Sequence, residues 1–211
     1  MEESISIDGV EVRLEGRYQA GQGPGGVVIA HPHPLYGGDL DDNVVWIAAR
    51  AFQFRGWATL RFNFRGVGLS TGHYGEGLAE ADDVAQALAW LKGRVPGPHV
   101  LVGYSFGAAV TARALWRGLA ADGAVLISPP IAFMDLGFLT RVPGVRLVVA
   151  GDQDALCPLA DLRELIRQWQ AADPRPGEHP SPELEVVPQT DHFFAGREKR
   201  LFEILAGYEW T

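Results

Sequence analysis

The chain has 211 residues, enough for one domain to bury a full core without disulfides or metals. Its 47% hydrophobic and 21% charged residues are those of an ordinary globular protein, and a net charge of −8 with no Lys/Arg cluster argues against a nucleic-acid partner. Cys157 is the only cysteine, so no intrachain disulfide forms; with no secretory pattern at the acidic start and no apolar run of membrane-spanning length, a cytoplasmic protein without a membrane partner is expected.

Ile5, Ile7, Val10, Val12 and Leu14 alternate with polar residues around the Asp8-Gly9 pair, which predicts an N-terminal β-hairpin over 5–20 with one solvated face. From residue 27 the pattern changes. Apolar runs at 27–30, 58–62, 100–103, 124–127, 146–150 and 184–187 lack polar alternation, as strands buried on both faces do. Between them lie helical patterns at 43–55, 78–92, 106–120, 158–171 and 197–209. Gly56 ends the first helix, and Asp82 and Asp83 sit near the start of the second, where the helix dipole favours negative charge. Repeated βα units predict an α/β fold with a mostly parallel sheet flanked by helices. The Pro-rich stretch 173–182 reads as a surface loop, and 1–211 as a single domain; the segment 129–144 is too short for a folded cap.

The strongest local signal is Gly103-Tyr104-Ser105-Phe106-Gly107, a G-x-S-x-G pattern placed after a predicted strand and before an Ala-rich helical stretch. Such a nucleophile elbow holds its serine on a sharp strand-to-helix turn, and the flanking glycines leave space where strand and helix crowd together. The turn also aims the Phe106 N–H at the reacting carbonyl oxygen, at the positive end of the helix dipole.

A serine hydroxyl needs an adjacent base, itself oriented by a carboxylate, and in this architecture the chain order is Ser, then Asp or Glu, then His. Only His179 and His192 follow Ser105, and His179 lies in the Pro-rich loop without evident support. His192 follows the last strand and precedes the last helix, which places it on the carboxyl edge of the sheet with Ser105. For the acid, the strand near 146–150 runs into Gly151-Asp152-Gln153-Asp154. Asp154, further into the turn, is the expected acid, with Asp152 as the main alternative; Asp191, beside His192 in sequence, and Asp135 rank below them. Cys157 reads as packing, since nothing cationic surrounds it in sequence.

The run 27–30 ends in His31-Pro32-His33-Pro34-Leu35-Tyr36-Gly37-Gly38, the loop that supplies a second oxyanion donor in this architecture. Proline has no N–H, so the donor is the backbone of His33 or, alternatively, Leu35. Gly37 and Gly38 let the backbone pass close to substrate. The H-x-H spacing lacks a third ligand for a metal, His31 reads as a structural hydrogen-bonding residue, and no cofactor is called for.

These segments, with Leu60-Arg61-Phe62-Asn63-Phe64-Arg65-Gly66-Val67-Gly68-Leu69-Ser70-Thr71-Gly72 and Asp191-His192-Phe193-Phe194, resemble a family of small bacterial α/β-hydrolases without a lid. The 151–158 stretch resembles the acid loop of that family and of dienelactone-hydrolase-like esterases, with Asp154 at the acid position. True dienelactone hydrolases carry a cysteine nucleophile where this chain has Ser105. The resemblance runs from about residue 27 to the end and implies the α/β-hydrolase fold, a Ser105–Asp154–His192 triad and carboxylester hydrolysis. Arg65 with Gly66 and Gly68 has a structural role in this reading, the glycines permitting a turn and Arg65 holding loop carbonyls.

The expected substrate is a small-molecule ester in a shallow, uncapped pocket that favours short acyl chains. Its apolar wall would draw on Tyr36, Tyr104, Phe106, Ile131, Phe133, Met134, Phe138 and Phe193. The same triad serves a thioesterase, an acyltransferase or a peptidase, and a retained hydrolase fold also serves a non-catalytic binding protein. Either a monomer or a homodimer is compatible with the sequence.

Overall fold

In the computed structural model, which describes residues 1–137, 139, 142–171 and 182–210, eight strands form one sheet. In chain order the elements are β1 (Glu3–Asp8), β2 (Arg13–Gln19), β3 (Gly26–Ala30), α1 (Asn43–Phe54), β4 (Ala58–Phe62), α2 (Glu80–Lys92), β5 (His99–Tyr104), α3 (Phe106–Trp116), β6 (Gly123–Ile127), β7 (Val145–Gly151), α4 (Leu159–Ala171), β8 (Glu183–Val187) and α5 (Glu198–Gly207). The strand order is β1-β2-β4-β3-β5-β6-β7-β8, with the β1–β2 and β2–β4 pairings antiparallel and every other pairing parallel. This is the α/β-hydrolase fold.

The unalternated apolar runs have the cause the sequence suggested. Along β3, Val28 and Ala30 enter one core while Val27 and Ile29 enter the other, and β5 divides Leu101 from Val100 and Val102 in the same way. Helices α2, α3 and α4 cover the first core, and α1 and α5 the second. Both faces of a central strand are therefore dry, so its sequence carries no polar period.

Three details differ from the sequence reading. Val10 is fully exposed and lies between the strands, because β1 and β2 pair only as far as Asp8 with Arg13 and leave residues 9–12 to turn. Helix α3 stops at Trp116 rather than near 120, where Gly118 takes a φ of 98°. Arg65 does not hold loop carbonyls: its Nη2 and Nε lie 2.7 and 3.0 Å from Asp83 Oδ1, and Asp83 Oδ2 accepts the Arg65 N–H at 3.0 Å. Gly66 and Gly68 do take positive φ in the turn that follows.

The acidic start of α2 thus has a task beyond the helix dipole. Glu80, fully buried, accepts the N–H groups of Gly75 and Gly77 at 2.6 and 2.8 Å, and Asp83 pairs with Arg65; Asp82 stays at the surface against Arg117. Together they fasten the long β4–α2 connection onto the sheet edge. The Pro-rich loop 173–182, His179 included, lies outside the described residues except for Pro182. Among the described residues no helix is long and apolar enough to cross a membrane.

Breaking a buried pair costs more than deleting it whole, since the survivor keeps its desolvation penalty. Asp83→Leu strands both the Arg65 guanidinium and its N–H and is expected to cost about 3–5 kcal/mol in urea unfolding. Adding Arg65→Met should recover part of that loss, and a double variant no more stable than Asp83→Leu would contradict the buried-pair account.

Candidate active site

The centre of the site is the turn from β5 into α3. A Cβ at Gly103 would stand 2.3 Å from the Gly107 carbonyl oxygen, and one at Gly107 would stand 2.3 Å from that of Ala30. Backbone meets backbone on both sides of the serine. The chain turns in one residue, which leaves Ser105 at φ 53°, ψ −118°, a region that L-residues avoid at a cost of about 1–3 kcal/mol. Serine at a helix start ordinarily caps it with its hydroxyl, but Ser105 makes no such bond. Its Oγ lies instead 2.8 Å from His192 Nε2.

His192 Nδ1 faces both oxygens of Asp154, at 3.0 and 2.9 Å. Asp154 Oδ1 also accepts the N–H groups of Leu156 and Cys157, each at 2.9 Å. Burial pushes the Asp154 carboxyl up, but the His192 ring, the nearby Ser128 hydroxyl and the Cys157 N–H outweigh it and hold the group below the ordinary carboxylate range. Ser128 itself takes a φ of 44°. The structure therefore brings Ser105, His192 and Asp154 into one hydrogen-bonded line.

The other acid candidates are occupied elsewhere. Asp152 Oδ1 accepts the Thr190 N–H at 3.2 Å, Asp191 Oδ1 accepts the Phe193 N–H at 3.0 Å, and Asp135 Oδ1 accepts the Gly137 N–H at 2.9 Å. Asp152 thereby ties the acid loop to the histidine loop. The two loops touch so closely at Gly151 that a Cβ there would lie 2.1 Å from the Thr190 carbonyl. On the other side, the Tyr104 hydroxyl donates to the His192 carbonyl at 3.0 Å. Burial, with the charges of Asp42, Asp154 and Asp191, raises the Tyr104 pKa, so it remains a donor. Cys157 is buried and its thiol is pushed up, which fits packing rather than reactivity.

The loop after β3 approaches from the opposite side. His31 is buried; its Nε2 accepts the Phe64 N–H at 3.0 Å and its Nδ1–H donates to the Pro32 carbonyl at 2.7 Å. His33 Nδ1 accepts the Leu35 N–H at 3.2 Å, and the His33 carbonyl accepts from Tyr36 and Gly38. That commits the Leu35 N–H to the His33 ring. The Phe106 N–H, first in α3, has no intrahelical acceptor by its position. Gly37 takes φ 84°, and at Gly38 a Cβ would lie 2.4 Å from the Pro32 carbonyl oxygen.

A cavity of about 530 Å³ opens over Ser105. Tyr36, Tyr104, Phe106, Phe133 and Phe193 line it, with His33 and His192. Ile131 and Met134 do not; they are partly buried and pack against the core that α2, α3 and α4 cover. Phe138 lies outside the described residues. Sequence reasoning missed Asp42, Pro130 and Leu156 in the lining. Asp42 did carry a signal, as an Asp immediately before a predicted helix: its Oδ1 accepts the Val44 N–H at 2.9 Å and caps α1.

Residues 27–145 match the sequence pattern of the alpha/beta hydrolase family. An uncharacterised protein of Rickettsia prowazekii is 30% identical over 97% of this chain and 87% of its own length. Among solved structures, a serine hydrolase homologue from Coxiella burnetii is 31% identical, with a TM-score of 0.83 over 97% of this chain and 96% of that one. A serine hydrolase without a lid from Xanthomonas campestris is 28% identical, with a TM-score of 0.82 over 98% of this chain and 92% of that one.

Burial pushes the His31 pKa down to about 4. The unfolded chain takes up this proton near pH 6.5, whereas the folded one resists it down to about pH 4. The contribution of a neutral His31 is thus complete above about pH 6.5 and shrinks as the pH falls toward 4, by up to about 3 kcal/mol. Urea midpoints measured from pH 7.5 to 4.5 are expected to fall less steeply in His31→Gln than in the parent; equal slopes would remove His31 as the cause.

Proposed function

The chain belongs to the alpha/beta hydrolase family, and we propose that it is a serine hydrolase cleaving small carboxylic esters through an acyl-enzyme on Ser105. The observation that carries this reading is the unbroken hydrogen-bonded line from Ser105 Oγ through the His192 ring to Asp154, at 2.8 and 2.9 Å. In the reading, Ser105 gives its proton to His192 Nε2 as Oγ attacks the ester carbonyl. The His192 Nδ1–H is held on Asp154, which stays ionised and stabilises the imidazolium. The negative charge on the carbonyl oxygen is received by the N–H groups of Phe106 and His33. His192 returns its proton to the leaving alcohol, then activates a water that releases the acid. These residues require no metal or cofactor for the sequence of steps.

Residues 1–211 are read as one domain, with the 129–144 segment standing where a cap would. An uncapped pocket with aromatic walls supports small esters over long-chain ones. Thioesters and amides use the same line of groups, so the leaving group is a matter for direct comparison at equal concentration.

A fluorophosphonate probe is expected to label Ser105, to fail on Ser105→Ala and to react far more slowly with His192→Ala, as read by intact-mass and peptide spectrometry. Asp154→Asn is expected to lower kcat on p-nitrophenyl butyrate by about a hundredfold or more, and Asp152→Asn by much less. Equal losses in the two variants would remove Asp154 from the assigned role. Turnover should fall from p-nitrophenyl butyrate to p-nitrophenyl palmitate; a preference for palmitate would contradict the uncapped-pocket reading.

A further inference from the structure

Among its described lining residues, the pocket over Ser105 contains one carboxylate, and the proposed reaction does not use it. Asp42 is half-buried in its lining, at the start of α1, close enough to His192 for the two to interact electrostatically. The two residues before it are tied to β4 and to the residue that follows that strand. Arg61 Nη1 donates to the Leu40 carbonyl at 2.7 Å and to Asp41 Oδ1 at 2.9 Å, and Asn63 Oδ1 accepts the Leu40 N–H at 2.8 Å. Arg61 is thus spent on Asp41 and Glu2, and among the described residues no Lys or Arg pairs with Asp42 or lines the pocket.

Capping α1 does not require a charge, since Asn or Ser would do it as well. Burial works against keeping one there and raises the Asp42 carboxyl, an effect partly offset by the Val44 and Val45 N–H groups. Facing the same cavity are the rings of Tyr36, Phe133 and Phe193, which are 74%, 53% and 66% exposed. Tyr36 and Phe133 stand edge to face with centroids 5.9 Å apart. Aromatic faces attract cations and offer nothing to anions. A carboxylate without a basic partner adds to that attraction, and the chain's net charge of −8 adds more at long range.

We propose that Asp42 and the aromatic rim select esters carrying a positive charge, on a quaternary or protonated amine, over neutral and anionic esters of the same shape. The inference rests on the reading of this pocket as an ester site. It makes Asp42 a specificity-determining residue, separate from the groups that move protons.

The test compares matched p-nitrophenyl esters whose acyl chains end in trimethylammonium, tert-butyl or carboxylate, and acetates of choline and 3,3-dimethylbutanol, so that the charge is presented on either side of the ester. In the parent protein at pH 7.5, kcat/KM for the cationic ester is expected to exceed that for its neutral partner by about fivefold or more in at least one series, with the anionic ester slowest. Asp42→Asn, which preserves the cap, should bring that ratio close to one. The readout is a ratio, so a general loss of activity cancels. Equal slowing of all esters in Asp42→Asn would overturn the proposal and assign Asp42 to support of His192 alone, and a parent ratio near one in both series would overturn it directly. If no ester is cleaved and Ser105 resists the fluorophosphonate, the hydrolase reading fails on its own. Charge selection is then decided by calorimetric affinity for choline against 3,3-dimethylbutanol in the parent and Asp42→Asn, tighter choline binding lost in the variant upholding it and indifference overturning it.

Discussion

Everything at this site depends on the absence of side chains at two points where backbone meets backbone. Gly103 and Gly107 let α3 begin directly against β5 and β3, with carbonyl oxygens 2.3 Å from where Cβ atoms would stand. With that contact made, the sharp part of the turn falls on Ser105. Ser105 is pressed into a φ of 53°, and its hydroxyl leaves the helix it would otherwise cap. A strained backbone persists only where its surroundings over-determine it, and here they do: α3 is buried along nearly its whole length, and the Ser105 N–H is fixed on the Ile127 carbonyl of β6.

A similar economy of space joins the remaining parts. Gly151 lets the acid loop lie against the histidine loop, and Gly38 lets the loop after β3 fold back on Pro32. None of these glycines carries a reacting group. Each removes the one obstacle to two loops approaching within hydrogen-bond range, after which polar groups set the register: Asp152 on Thr190, Tyr104 on the His192 carbonyl, His31 between Pro32 and Phe64. The proposed reacting groups come from three separate loops at one sheet edge, and their spacing is held to bond length by contacts of this kind.

That division explains what could be read from the sequence. Doubly buried strands and amphipathic helices write their environment into local composition, so the α/β order and most element bounds were legible to within a few residues. Ser105, His192 and Asp154 were legible as neighbours because their positions relative to predicted strands put them on one edge. Arg65 was misread because its partner, Asp83, lies 18 residues away on a helix, and a charged residue beside a glycine turn looks the same whether it bonds carbonyls or a distant carboxylate. Ile131 and Met134 were misplaced for a related reason. An apolar side chain in a loop is equally at home in a pocket or under a helix, and only the tertiary path decides which.

Asp42 shows the limit most clearly. As a residue before a helix it has a complete local explanation, and nothing in its sequence neighbourhood marks it, any more than Asp39 or Asp41, as facing a pocket. The three diverge only in the fold. Asp39 Oδ1 accepts the Asp41 N–H at the exposed surface, Asp41 is taken by Arg61, and Asp42 is turned into the cavity over Ser105. A capping role and a role toward substrate are compatible in one carboxylate because accepting the Val44 N–H at Oδ1 does not remove the charge, which acts over the whole pocket. In this cleft, lined by aromatic rings and, among the described residues, without a Lys or Arg, the Asp42 carboxylate in the proposed reading sets the sign of the field that an incoming substrate meets.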